Sequence, residues 1–361
     1  MDFAPNVDDN FDYTDYNFTS VTQDLNSTSM STAQAGLSPV AWVALAVYAV
    51  VFLLGVLGNG AVIWVVAFQM RHTVNTIWFL NLSVADLLCC LSLPFLAESL
   101  ANGYSWRLGD FACKLLPSLN ILNMFASVLL LTLISVDRWA LVVKPVWCQN
   151  HRSACLAWAL CAVAWGSALL LTLPSFLTRE TKSSFPNQMT CGTNYAILGE
   201  DHHKAEVSVA VMRLLFGFLI PFVVISLCYG LLLLRVHRSR FMRSKKTLKV
   251  VLVVVVSFFI CWAPFHAFAL IFANELPSSA LYQSVHDADP LVVALAYINS
   301  CINPIIYVIA GQDFQAKVQH SLKNLLRNVL SEESTRAHSL AEGHTQAICT
   351  TTEDRSTSTT L

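Results

Sequence analysis

Charge is what this 361-residue sequence has least of: Asp, Glu, Lys and Arg make up 12% of it, against 55% hydrophobic residues. A soluble domain carries about twice that share of charge, so an ordinary water-soluble fold is excluded and a membrane protein remains. No Lys or Arg precedes Arg71. The acidic, aromatic stretch DDNFDYTDYNFT at 8–19 is therefore not neutralised by neighbours, and it either stays solvated as a tail or attracts a basic partner. The first 35 residues lack a basic n-region and an apolar h-region, so no cleavable signal peptide is expected and the first apolar run is expected to target the chain. Short alternating strands of a membrane barrel are missing. So are a metalloprotease helix and a nucleophile elbow, while His202 and His203 are merely adjacent; an enzyme is not expected. The last apolar run holds no Lys for a retinal Schiff base. Inverted repeats and broken helices, which would suggest a transporter, are not visible. Nothing points to nucleic acid, and neither a resident metal nor an organic cofactor is expected.

What is present are seven apolar runs, at 40–68, 77–100, 111–143, 154–177, 207–234, 248–272 and 290–310. Each reaches the roughly 20 residues that a helix needs to cross a hydrocarbon core. Backbone polar groups in lipid must be satisfied within their own segment, so the expectation is an all-α membrane protein, a seven-transmembrane helix bundle. The chain divides into an acidic N-terminus (1–38), the bundle (39–311), an amphipathic membrane-surface helix (312–330) and a Ser/Thr-rich tail (331–361). In 312–330, Phe314, Val318, Leu322, Leu325 and Val329 share a face and cations the other, suiting the lipid surface.

Basic residues give the orientation. RVHRSRFMRSKKTLK follows the fifth run, Lys317, Lys323 and Arg327 follow the seventh, and Arg71, Lys144 and Arg152 lie in the first two inner connections. These are expected in the cytoplasm, which places the N-terminus outside a plasma membrane. Two glycosylation sequons, at Asn17 and Asn26, then fall outside, whereas Asn81 matches the same pattern inside the second run. Of 11 cysteines, most sit in apolar runs as small buried hydrophobes. Cys113 and Cys191 both face the oxidising side, and on topology they are expected to pair, tethering the second outer connection over the bundle mouth.

Polar residues inside the membrane are costly and few. Asp86 and Asn59 lie in the second and first runs; Asn123 and Ser127, and Asn299 and Asn303, share helix faces at i, i+4. If these faces converge on Asp86 they form either an oxygen cage for a sodium ion or an interhelical hydrogen-bond network. At the inner end of the third run Asp137 and Arg138 stand side by side, where an Arg could also merely snorkel. Near the outer ends lie Arg179, Arg213, Asp289 and Glu206. An arginine-ended peptide would satisfy Arg213 with its carboxylate and Asp289 with its guanidinium, Glu206 adding a rim contact; Arg213 and Asp289 could instead pair with each other.

Read together, Gly58 and Asn59, NLSVAD ending at Asp86, DRW at 137–139, Trp165, Pro221 with Tyr229, CWAP at 261–264 and NPIIY at 303–307 resemble the rhodopsin-like family of G-protein-coupled receptors over 40–329. The resemblance implies that Trp262, with Phe258, repacks beneath a ligand pocket, that the sixth helix swings outward, and that Arg138, leaving Asp137, lines a G-protein cleft with Tyr229 and Tyr307. The chain carries Ser244, Lys245 and Lys246 where many members have an acid that locks Arg138. Segments such as LPSLNILNMFASVLLLTLISVDRW and AYINSCINPIIYVIAGQ are similar to the chemoattractant branch, anaphylatoxin receptors ahead of formyl-peptide receptors. This implies a basic peptide or protein anaphylatoxin as ligand, recruited by the acidic arm with Tyr13 and Tyr16 sulfated. It also implies a heterotrimeric G protein of the inhibitory class, and arrestin and receptor kinases acting on Ser331, Ser334, Thr335 and Ser339. A scavenging receptor that binds without coupling is the rival reading, and the intact Asp137–Arg138 pair speaks against it.

Overall fold

The structure is a computed structural model that describes residues 37–184, 188–199, 201–238 and 245–310, the side chains of 184, 236–238, 245–250 and 306–310 excepted. The chain divides into two compact units, Met1–Ile306 and Tyr307–Leu361; of the second, only the backbone of 307–310 is described. Tyr13, Tyr16, Asn17, Asn26, the 312–330 segment and the tail serines and threonine at 331, 334, 335 and 339 lie outside the described residues, as does the Tyr307 side chain.

Seven helical spans are long and apolar enough to cross a membrane. They are α1 (Pro39–Gln69), α2 (Val74–Ala101), α3 (Gly109–Val143), α5 (Ala154–Leu177), the continuous pair α6 (His202–Leu214) and α7 (Ile220–Arg238), α8 (Lys245–Asn274) and α9 (Ala280–Ala310). A short α4 (Pro145–His151) links α3 to α5. Helix starts follow local chemistry. Ser38 accepts from the Ala41 amide at 3.1 Å ahead of Pro39, Thr73 and Thr76 cap each other reciprocally, and Ser153 accepts from the Leu156 amide at 3.2 Å.

The bundle is inverted relative to a soluble protein. Large apolar side chains such as Trp42, Leu57, Phe68 and Leu170 are exposed, as a lipid-facing surface requires, while Asn59, Asp86, Asn123 and Ser127 are buried. Helix α3 is central, touching α2, α5, α7 and α8. Close approach needs small residues at three points, one of them Gly58, where a Cβ would come within 2.9 Å of Pro304 Cβ. A Cβ on Gly55 of α1 would run into the Cys90 sulfur of α2, and one on Gly217 would come within 2.9 Å of the Met124 methyl on α3. Asn81, the third sequon, is buried on α2 and accepts from Trp165 Nε1 at 3.0 Å, a structural role.

Between α6 and α7 the backbone makes one π turn, Leu215–Leu219, in which the Ile220 amide bonds back to the Leu215 carbonyl. Pro221 follows directly; a proline donates no hydrogen bond and its ring crowds the carbonyl four residues back, here Gly217, which the wider turn relieves.

Three features depart from the expected outline. The second outer connection is not irregular but an antiparallel hairpin, β1 (Arg179–Ser184) with β2 (Gln188–Thr193), register Arg179 opposite Thr193 and Thr181 opposite Cys191. The seventh span begins at Ala280 rather than at 290, because the polar stretch before Pro290 stays helical and carries Asp289 on a rigid element. The fifth begins at His202 rather than at 207, Asp201 accepting from the Lys204 amide at 3.0 Å as its cap.

Candidate ligand pocket and coupling site

Cys113, at the start of α3, is bonded to Cys191 in β2, with 5.6 Å between their Cα atoms. The hairpin is further pinned by Thr181 N donating to Asp110 Oδ1 at 3.1 Å and by Trp106 N donating to the Met189 carbonyl at 2.7 Å. Beneath it opens a cavity of about 220 Å³ lined by Tyr48, Tyr104, Asn120, Ser175, Arg179, Arg213, Phe265, Asp289 and Tyr297 among others. Three of the four expected ligand-contacting charges thus meet in one space. Glu206 is half-buried on α6 but does not line it.

The cavity gathers charges of both signs. Arg179 and Arg213 are close enough that the Arg213 charge adds to burial in pulling the Arg179 guanidinium below its usual range. Arg213 Nη2 donates to Ser175 Oγ at 2.7 Å, and its Nε is buried without a partner. Asp289 lines the same cavity, close enough for its charge to act on Arg179; among the described residues it makes no ion pair with either arginine. The alternative in which Arg213 and Asp289 neutralise each other is not what the structure adopts. Burial, then Asp289, raises the Tyr104 phenol. Burial also raises that of Tyr195, partly offset by Arg213.

Sequence reasoning missed Tyr104, which lines the cavity from the loop after α2 with φ of 63°, a left-handed conformation that costs a non-glycine residue about 1 kcal/mol. The neighbouring Gly103 also has positive φ, 61°, and the Asn-Gly pair before Tyr104 was the available signal of a tight turn.

Below the cavity Trp262 and Phe258 are fully buried, ring centroids 6.1 Å apart, and Phe265 meets Trp262 edge-on at 5.4 Å, linking the cavity wall to the core. Deeper still, Asn303 Nδ2 donates to Asp86 Oδ2 at 2.8 Å, Asn123 Nδ2 to Ser300 Oγ at 2.9 Å, Ser127 Oγ to Asn123 Oδ1 at 3.2 Å, and Asn59 Nδ2 to the Ser300 carbonyl at 2.8 Å. The converging faces are real, with Ser300, flanked by Asn299 and Asn303, as a hub that the i, i+4 pattern passed over. Asn299 is buried on the same helix but outside this bonded set. Oδ1 of Asp86, Asn59 and Asn303 are buried acceptors without a hydrogen-bond partner.

At the far end of the bundle Asp137 and Arg138 are both nearly buried, and Tyr229 on α7 lies beside Arg138 and Ser135. Arg138 Nη2 is 3.5 Å from Asp137 Oδ2.

A polar inner network, a disulfide-tethered hairpin over a charged cavity and an Asp–Arg pair at the opposite end occur in one seven-helix chain, and the family model for the seven-transmembrane receptors of the rhodopsin family matches residues 58–307. The chain belongs to that family. Among its relatives, the C5a anaphylatoxin chemotactic receptor 1 of Oryctolagus cuniculus is 51% identical over 92% of this chain and 93% of its own length. Those of Homo sapiens and Rattus norvegicus are 53% and 48% identical, each over 81% of this chain and 82% of theirs. This rhodopsin-family receptor is therefore a multi-pass membrane protein; its disulfide joins the two cysteines that the sequence singled out, and its inner network takes in Asn59, Asp86, Asn123, Ser127 and Asn303 together with Ser300.

Proposed function

We propose that this receptor is activated at the plasma membrane by the C5a anaphylatoxin, as the names of its relatives state for them, and signals through an inhibitory G protein and calcium to drive chemotaxis. The observation that carries the reading is the charge content of the cavity: Arg179, Arg213 and Asp289 all line it with no ion pair between Asp289 and either arginine, and so offer both signs to the carboxylate and guanidinium of an arginine-ended peptide. The Arg213 Nε, buried without a partner in the free receptor, is a donor that a ligand carboxylate would meet on binding.

In this reading the N-terminus is extracellular, carries glycans at Asn17 and Asn26 and sulfate on Tyr13 and Tyr16, and steers the cationic ligand by long-range attraction. Glu206 acts at the rim. Engagement of the cavity shifts Phe265 and hence Trp262, α8 moves about Pro264, and Arg138, Tyr229 and Tyr307 receive the G protein. The agonist drives this only through its greater affinity for the open state. Phosphorylation of Ser331, Ser334, Thr335 and Ser339 by receptor kinases then recruits arrestin. A sodium ion fits the inner network, because the unpartnered oxygens of Asp86, Asn59 and Asn303 are the hard donors it takes. Bound there, it supplies positive charge to a buried carboxylate, while Asn123 and Ser127 orient the surrounding amides.

The test is a calcium and cyclic-nucleotide response in transfected cells to intact C5a, to C5a lacking its terminal Arg, and to a formyl peptide. Intact C5a is expected to be the most potent. A response to the formyl peptide alone refutes the ligand assignment, and tight C5a binding without either response supports a scavenger instead.

A further inference from the structure

The grip on Asp137 comes from a residue that the Asp–Arg motif does not contain. Arg152, in the two-residue link between α4 and α5, donates from Nε to Asp137 Oδ1 at 2.7 Å and from Nη2 to Oδ2 at 3.1 Å. This is the forked geometry that favours a guanidinium–carboxylate pair, whereas Arg138 approaches the same carboxylate only to 3.5 Å. Arg138 is held instead by Asn75 Oδ1, in the first turn of α2, and Asn75 also accepts from Arg152 Nη2 at 2.7 Å. Arg152 remains partly exposed while Asp137 and Arg138 are nearly buried, so the anion is neutralised from the surface and the second cation rests on a neutral amide.

We propose that Arg152 is a positioning residue for G-protein coupling, occupying Asp137 so that its neighbour Arg138 is not captured by it. A neutral amide releases a guanidinium at lower cost than a carboxylate does, so Arg138 stays available for the cleft. The arrangement suits a chain with Ser244, Lys245 and Lys246 where other members carry an acid that locks Arg138. With no acid expected from that side, the tether on Arg138 is set by Asp137, Asn75 and whatever holds them. The inference rests on the coupling role proposed above for Arg138.

The experiment uses the full-length receptor in membranes with purified G protein, reading nucleotide exchange with and without C5a, together with surface level and C5a affinity in the absence of G protein. Loss of Arg152 leaves Arg138 as the cation nearest Asp137. Arg152→Gln is therefore expected to lower the maximal exchange rate about tenfold with affinity unchanged, the scale of one charge-assisted contact. Adding Asp137→Asn to that variant removes the trap and is expected to restore the rate to within about threefold of the parent; Arg152→Lys, which keeps the charge but not the fork, falls between. Should Arg152→Gln lower the surface level, Arg152→Lys and the double variant carry the test. Parental rates in Arg152→Gln, raised agonist-free exchange, or a double variant as slow as the single one overturn the proposal. Arg138→Ala separates the two readings: parental exchange there refutes the coupling role itself, whereas lost exchange there with parental rates in Arg152→Gln refutes only the role of Arg152.

Discussion

Arg213 is expected to destabilise the receptor that it equips for binding. Its Nη2 has one neutral partner, Ser175 Oγ at 2.7 Å, its Nε is buried with none, and Arg179 adds like charge beside it. An unsatisfied buried donor costs about 1 to 3 kcal/mol and one hydrogen bond returns about 1 kcal/mol, so Arg213→Met should stabilise the ligand-free protein by about 1 kcal/mol. For a bundle of this size that is a rise in Tm of about 2–4 °C. The same substitution removes the cation proposed to meet the ligand carboxylate, a contact worth about 2 to 3 kcal/mol, or roughly 30- to 150-fold in Kd. Thermal melting of ligand-free receptor in detergent and C5a binding to membranes measure the two halves. A variant that melts lower than the parent, or that binds C5a as tightly, refutes the reasoning, since the argument requires stability and affinity to move in opposite directions.

Replacing Asp289 with Asn should cost intact C5a about 10- to 100-fold in affinity and leave the form lacking its terminal Arg nearly unaffected, a difference read by competition binding. Trp165→Phe removes the indole donor to Asn81 at 3.0 Å and should lower Tm by about 2–4 °C, leaving a buried amide oxygen unpaired. Gly55→Val should sharply reduce folded receptor at the cell surface, because even a Cβ there meets the Cys90 sulfur, while Gly60→Val, with open space at that point, should be tolerated. Sodium chloride should raise Tm relative to an equal concentration of N-methylglucamine chloride, and Asp86→Asn should abolish the difference; equal melting of the parent in both salts would rule out the ion.

The spans, the disulfide and the inner network were legible because each follows from one dominant constraint. Lipid demands long apolar helices, an oxidising side joins the two cysteines that the topology places there, and buried amides at i, i+4 must find partners. Features set by several weak terms were not legible. The β1–β2 hairpin depends on the disulfide and on Asp110, the helical start at Ala280 mixes polar residues with apolar ones in its first turns, and the proposed role of Arg152 arises from a contact with Asp137 across 15 residues that no spacing rule marks. Tyr104 owes its place to a left-handed turn, and Ser300 to the rotation of α9 about its axis.

The π turn at Leu215–Leu219 means that the fifth span keeps two separate angular registers. One additional residue per turn rotates everything before it by about 100° relative to everything after, so the direction of Arg213 is decoupled from that of Tyr229. Deleting a single residue from that turn would swing Arg213 toward the lipid without altering any side chain in the cavity. The proposed recognition of a ligand carboxylate by Arg213 thus depends on a backbone irregularity.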